Sequence, residues 1–313
     1  MKKAIRGRCL SYRGNPFTEP LSDCLHYEED GLVVIEAGNI VAYGPALALQ
    51  RDVGADVAVT YYKDAIICPG FIDCHVHYPQ TEMIGAYGKQ LIDWLNKYTF
   101  ITEQKFANKE YALKSAEIFL KEMLRAGTTT SAVFCTVHPQ SVDAFFEQSA
   151  KLNMRNIAGK VLMDRFAPIG LKDTAQTGYD ETKELIAKWH GKGRALYAVT
   201  PRFAPTSSAE QMEVTGAVWQ EHPGTYLQSH ISENKAEIEW VKELYPNRKN
   251  YVDVYRHYNQ LGPRAIYGHA VHFSDDDFRI FSESGTAIAH CPTSNLFLGS
   301  GLFQLERAMT GVP

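Results

Sequence analysis

Seven apolar, strand-like runs recur along this chain from Phe71 onward, with stretches of helical period between them, and this alternation limits the possible folds more than any other feature. The runs cover residues 71–75, 128–134, 157–163, 196–200, 226–230, 265–269 and 286–290. Intervening stretches such as 109–125, with Leu113, Ala116, Phe119, Leu120 and Met123, and 235–244 carry helix-spaced apolar residues. Strands buried on both faces and separated by helices pair in parallel, so the expected fold class is α/β, a (β/α)8-type TIM barrel. Residues 1–67 instead hold short β-like runs between Gly, Asn and Pro turn signals, which predicts a small N-terminal β-sheet subdomain ahead of a barrel domain over 68–313.

A closed barrel of this type needs eight strands, and the chain reaches Gly311-Val312-Pro313 where the eighth should begin. The expectation is a barrel truncated after strand seven, from a fragment or a shortened reading frame, unless another chain or a different N-terminal packing closes the gap. An open wall would leave strand edges beside an apolar interior.

Chemistry concentrates at the predicted strand ends. His75 and His77 stand at i and i+2, and side chains alternate along a strand, so both imidazoles project from one face and can reach one metal ion. His230 and His269 end two later strands, and Arg202 with Phe203 follows another. In a parallel barrel the functional end is where the strands finish, which makes His75, His77, His230 and His269 candidate metal ligands. Glu233, three residues after His230, can return to a metal-bound water as a proton shuttle, or else cap the helix that follows.

Composition narrows the function. The chain has 313 residues, 45% of them hydrophobic and 22% charged, with a net charge of −4 and no basic block, which disfavours nucleic acid and anionic membrane as partners. No run approaches the roughly 20 apolar residues that span a bilayer, and the N-terminus lacks a signal-peptide core. Six scattered cysteines without a C-x-x-C pair fit reduced, mostly buried thiols. A cytoplasmic protein working on a small molecule is expected.

The pattern His75-x-His77, His230-Ile231-Ser232-Glu233, His269 and His290-Cys291-Pro292-Thr293-Ser294-Asn295 resembles the amidohydrolase superfamily of metal-dependent barrels. His77-Tyr78-Pro79-Gln80, Trp94 to Phe100, Gly127-Thr128-Thr129-Thr130 and Thr200 to Ser207 are similar to its guanine-deaminating members. The resemblance runs the length of the chain and implies a mononuclear zinc hydrolase that converts guanine to xanthine and ammonia, and a homodimer. It assigns His75, His77, His230 and His269 to the zinc environment, Glu233 to proton transfer, and Gln80, Arg202 and Phe203 to the purine. Iron accepts the same donor types. Thr200-Pro201-Arg202 offers no lysine to bridge a second metal. The superfamily also carries an aspartate at the end of strand eight, which the residues here do not reach, so the activity of a truncated chain is in question.

His272 and His290 are read as neighbours of the site rather than ligands, Trp94 and Phe100 as core or pocket roof, and Asp164-Arg165 as an ion pair at the functional end. Two other readings stay open. One is a sister amidohydrolase acting on another amino- or chloro-heterocycle, and the other a non-catalytic, metal-stabilised interaction protein.

Overall fold

The computed structural model describes residues 2–54, 57–86 and 91–311. The chain divides into two compact units, Met1–Gly70 and Phe71–Pro313. In the first, β1 (Lys2–Tyr12), β2 (Leu25–Glu36), β3 (Asn39–Pro45) and β4 (Val59–Ile67) form one sheet in the order β3-β2-β1-β4. β1 runs antiparallel to β2 and parallel to β4. Ala4 of β1 and Leu32 and Val34 of β2 are buried with Ala46 and Val53 of the helix Ala46–Val53, which gives the unit an apolar core of its own.

The second unit contains β5 (Phe71–His77), β6 (Thr128–Phe134), β7 (Arg155–Gly159), β8 (Val161–Leu162), β9 (Leu196–Pro201), β10 (Tyr226–Ile231), β11 (Ala265–His269) and β12 (Ala287–Ala289). Its sheet runs β12-β11-β10-β9-β7-β6-β5, all neighbours parallel, with β8 paired to β9. This is a parallel barrel-type sheet with seven strand positions filled, as the sequence pattern predicts. Val312 and Pro313, where an eighth strand was expected to begin, lie outside the described residues.

The third strand departs from expectation. A single run over 157–163 was predicted, but the strand breaks between Gly159 and Val161. The interruption falls at Lys160, a fully buried cation whose Nζ reaches Asp173 and, at 3.3 Å, Glu181. A buried ammonium needs such partners, and the backbone departs from the ladder at the residue that makes them.

The helices follow their sequence signals closely. Lys109–Arg125 starts at Asn108, whose side chain accepts from the Tyr111 amide at 3.0 Å, and it buries Ala112, Ala116, Phe119 and Leu120. Lys235–Leu244 is capped by Asn234 and Glu237 as a reciprocal box. Glu233 therefore does not cap that helix, the alternative role considered for it, and its carboxylate is left for other work. Tyr78, Phe145, Tyr197, Tyr255 and Tyr267 lie in the main core between strands and helices.

Candidate functional site

The four predicted ligand histidines converge at the ends of β5, β10 and β11. β10 and β11 are in register with His230 opposite Gly268 and Ile231 opposite His269. The His75 ring centroid lies 5.3 Å from that of His77, 4.6 Å from His230 and 5.2 Å from His269. Ring nitrogens of His75, His230 and His269 lie within 4.8 Å of one another. His77 stands outside that triad by this measure but joins the cluster through Nε2, 3.0 Å from Nε2 of His230.

The backbone is strained where the ligands emerge. Ser232 (φ 48°), His269 (φ 77°) and Ala270 (φ 48°) all occupy the left-handed region, at a cost of about 1–3 kcal/mol each. Hydrogen bonds from the Ala270 amide to the Ile231 carbonyl (3.0 Å) and from the His272 amide to the Ser232 carbonyl (3.2 Å) hold the two turns together.

Two hydrogen bonds fix how the imidazoles face. Nδ1 of His230 donates to the Arg202 carbonyl at 2.6 Å, and Nδ1 of His269 donates to Oδ1 of Asn295 at 2.8 Å. Each neutral ring then turns a lone pair on Nε2 toward the cluster. Burial holds His75, His77 and His230 well below the usual imidazole range and His269 below it, so all four are neutral near pH 7.

The donor set fits a cation. Nε2 of His230 lies 3.0 Å from Nε2 of His77, and Nε2 of His269 lies 3.3 Å from Oε2 of Glu233, so imidazole nitrogens and a carboxylate crowd one buried space. Among the described residues, Nδ1 of His77 is buried without a hydrogen-bond partner. Three to four imidazoles beside a carboxylate are a ligand set suited to a borderline-soft divalent metal.

Glu233 is 2% exposed, and Ser300 Oγ donates to its Oε1 at 3.3 Å. Burial pushes its carboxyl up to about 7. Glu237, buried beside it, is also raised to about 7, by burial first and by the Glu233 charge second. Oε2 of Glu237 accepts from the amides of Glu233 and Asn234 at 3.0 Å each, and Tyr251 donates to Oε1 at 2.8 Å.

A cavity of about 910 Å³ opens over the cluster, lined by Gln80, Arg202, Phe203, Glu233 and Trp94 among others. All the predicted substrate residues thus border one space with the histidines. Gln80 comes from the turn Tyr78–Met83, and Phe203 is buried among Phe100, Leu95 and Leu298. Arg202 is tied to Glu103: Nη1 donates to Oε2 at 2.6 Å and Nη2 to Oε1 at 3.0 Å. Phe100 belongs to the core, and Trp94 packs on the same cluster while also bordering the cavity.

The neighbours fall as follows. His272 Nε2 donates to the Ser300 carbonyl at 2.9 Å, and His290 stacks on Phe303 at the cavity wall. Asp164 and Arg165 do not form the expected ion pair. Asp164 accepts from the Ser208 amide and hydroxyl, whereas Arg165 donates to the carbonyls of Ala204 and Pro205 and to Tyr245. Both cap the loop after β9, because backbone groups there need partners more than the two charges need each other.

Sequence reasoning missed Glu103, Asn295, Glu237 and Gly268. Asn295 lies in a motif quoted for its resemblance, yet nothing local linked it to a histidine 26 residues away. Glu103 had no signal at all, its partner being 99 residues distant.

The amidohydrolase family matches residues 66–312. The guanine deaminase of Escherichia coli (strain K12) is 48% identical over 309 residues, covering 98% of this chain and 70% of that protein. The probable guanine deaminase of Deinococcus radiodurans is 38% identical over 309 residues, 97% of this chain and 70% of that one. Among solved structures, E. coli guanine deaminase superposes with a TM-score of 0.96 at 47% identity, over 99% of this chain and 72% of that one. Guanine deaminase from C. acetobutylicum, solved with guanine bound in its active site, gives 0.90 at 30% identity, over 100% and 73%. Among the described residues no helix is long and apolar enough to cross a membrane. With its metal-dependent type of histidine cluster at the strand ends of such a barrel, this chain belongs to the amidohydrolase family and groups with the guanine deaminases within it.

Proposed function

We propose that this chain hydrolyses guanine to xanthine and ammonia. The observation that carries the reading is the convergence of four neutral strand-end histidines, a buried carboxylate and an arginine with a glutamine on one cavity. It is supported by the 48% identity to E. coli guanine deaminase over 98% of the chain.

His75, His77, His230 and His269 would hold one divalent ion, and zinc is the choice that an imidazole set favours over iron. When bound, such an ion acts as a Lewis acid and lowers the pKa of an adjacent water. Glu233, whose Oε2 lies 3.3 Å from Nε2 of His269 and whose Oε1 accepts from Ser300, would move protons between that water and the substrate. The water oxygen bonds to C2 of guanine, and Glu233 carries one water proton to the ring nitrogen beside C2. The second goes to the exocyclic amine, which leaves as ammonia as the C2–N bond breaks and the new carbonyl forms.

Gln80 and Arg202 would bind the polar edge of the purine, the guanidinium donating to its carbonyl oxygen, and Phe203 would pack near its flat face. Water is the co-substrate. A cytoplasmic location is supported by the cysteines, none of which is paired. A homodimer belongs to the same reading and rests on family resemblance alone. The alternative heterocycles gain nothing specific: atrazine chlorohydrolase from Arthrobacter aurescens is 20% identical and shares the fold.

The test is xanthine formation followed by absorbance with zinc supplied. Glu233→Gln should lower kcat by about 10²–10⁴-fold, the range for removing a positioned proton shuttle, while zinc remains bound. Wild-type turnover that survives this substitution would remove Glu233 from the mechanism.

A further inference from the structure

Arg202 presents a problem that its role in binding does not explain. A guanidinium in a pocket wall normally recruits an anion, since it is permanently charged and matches carboxylate or phosphate in pairs of hydrogen bonds. The ligand proposed above is a neutral heterocycle. In this fold the anion is already supplied from within: Glu103, 0% exposed, meets Arg202, 2% exposed, through two hydrogen bonds of 2.6 and 3.0 Å.

The geometry of the pair is that of a brace. Glu103 ends the short helix Phe100–Glu103, in the segment that leads from β5 to the helix Lys109–Arg125. The Phe100 ring from the same turn lies 5.5 Å from the guanidinium carbon. One turn of helix therefore supplies both the counter-charge and an apolar face to the guanidinium. Two of the N–H groups of Arg202 are committed to Glu103, and the residue borders the cavity with the others left to donate. The cavity wall gains directed donors at no net charge.

Resting on the proposed function, and extending it to how the site chooses its ligand, we propose that Glu103 is a positioning and specificity-determining residue. It holds the guanidinium of Arg202 against the cavity and cancels its charge, so that the pocket takes neutral, carbonyl-bearing heterocycles and rejects organic anions. A bare guanidinium would favour the anion, and specificity is the difference between the two affinities.

The test uses the zinc-supplied 313-residue chain and two 6-oxopurines read by calorimetry: hypoxanthine, neutral at pH 7, and urate, a monoanion there. Glu103→Gln is expected to shift the hypoxanthine-to-urate affinity ratio by about tenfold or more toward urate, the scale of one uncompensated charge at a screened site. The KM for guanine should rise more than kcat falls. Glu103→Asp keeps the charge but retracts the carboxylate, and it should weaken hypoxanthine while leaving urate affinity unchanged. In the double variant Glu103→Gln/Arg202→Gln, which leaves no buried charge unpaired, the urate gain should vanish. A gain of affinity for the anion cannot come from a loosened fold.

The proposal is overturned if both purines weaken equally in Glu103→Gln, which is the outcome for an ion pair that merely stabilises the chain. It is also overturned if the urate gain persists without Arg202, or if the wild type binds neither probe. Should Glu103→Gln fail to fold, equal losses of both probes in Glu103→Asp would count against positioning, and a urate gain there would count against the charge argument. A wild type that binds hypoxanthine over urate yet forms no xanthine from guanine would sink the proposed reaction and leave this inference standing.

Discussion

The main-chain carbonyl of Arg202 accepts a hydrogen bond from Nδ1 of His230 at 2.6 Å, while the side chain of the same residue borders the cavity. The proposed metal site and the proposed ligand contact thus meet in one residue but use different atoms of it. Arg202→Gln keeps the carbonyl and an amide that faces Glu103. It should leave zinc affinity within about threefold, because the bond that orients His230 is retained. The KM for guanine should rise by about 10–100-fold, the cost of removing a charge-assisted donor from a bound ligand. His230→Ala should abolish both zinc binding and turnover. Metal analysis beside steady-state kinetics separates the two variants.

Asn295 plays for His269 the part that the Arg202 carbonyl plays for His230. Its Oδ1 faces Nδ1 of the ring at 2.8 Å, and its own Nδ2 is buried without a hydrogen-bond partner among the described residues. Asn295→Ala should weaken zinc by about 10–100-fold, the usual effect of losing the group that orients a ligating imidazole, whereas Asn295→Asp keeps the acceptor and should bind zinc as tightly as the wild type or better. Chelator competition measures this directly. Equal affinities in all three proteins would mean that His269 needs no support.

Gly268 has a reason that no turn requires. A Cβ at that position would stand 2.6 Å from Cε1 and 2.8 Å from Nδ1 of His75. Gly268→Ala must therefore displace the His75 ring, although neither residue changes its chemistry. The expected result is weaker zinc binding with little change in thermal stability of the metal-free chain, read by titration and by melting. Unchanged zinc affinity would show that the ring has room to move.

Much of this arrangement was legible because it is encoded locally. The apolar runs that end in His75, His230 and His269 state both the strand and its functional end, and the helix-spaced apolar residues of 109–125 and 235–244 state the helices between them. What was not legible involves distant partners or backbone shape. Glu103 and Arg202 lie 99 residues apart, and nothing in the run Phe100–Glu103 marks a buried carboxylate. Asp164 and Arg165 are adjacent in sequence, which suggested mutual pairing, but loop carbonyls and amides claimed both. The break at Lys160 follows from a buried charge whose partner, Asp173, comes from the next loop.

Glu237 should leave a signature in the pH dependence of stability. Burial raises its carboxyl from an ordinary value of 4.5 to about 7, so the folded chain holds a proton that the unfolded chain releases. The corresponding stabilisation is complete below pH 4.5 and is lost as pH rises to about 7, amounting to at most about 3 kcal/mol in the metal-free protein. Glu237→Gln cannot ionise, so its stability should fall less steeply over this window. Urea denaturation at pH 5 and pH 8 checks the slope, and parallel slopes for both proteins would assign the titration to another group.

The most direct measurement is the stoichiometry of xanthine and ammonia released from guanine by the purified, zinc-loaded chain, with a chelated sample alongside. The account predicts equal amounts of both products in the loaded sample and none after chelation. Guanine left intact by a chain that holds its zinc would contradict it.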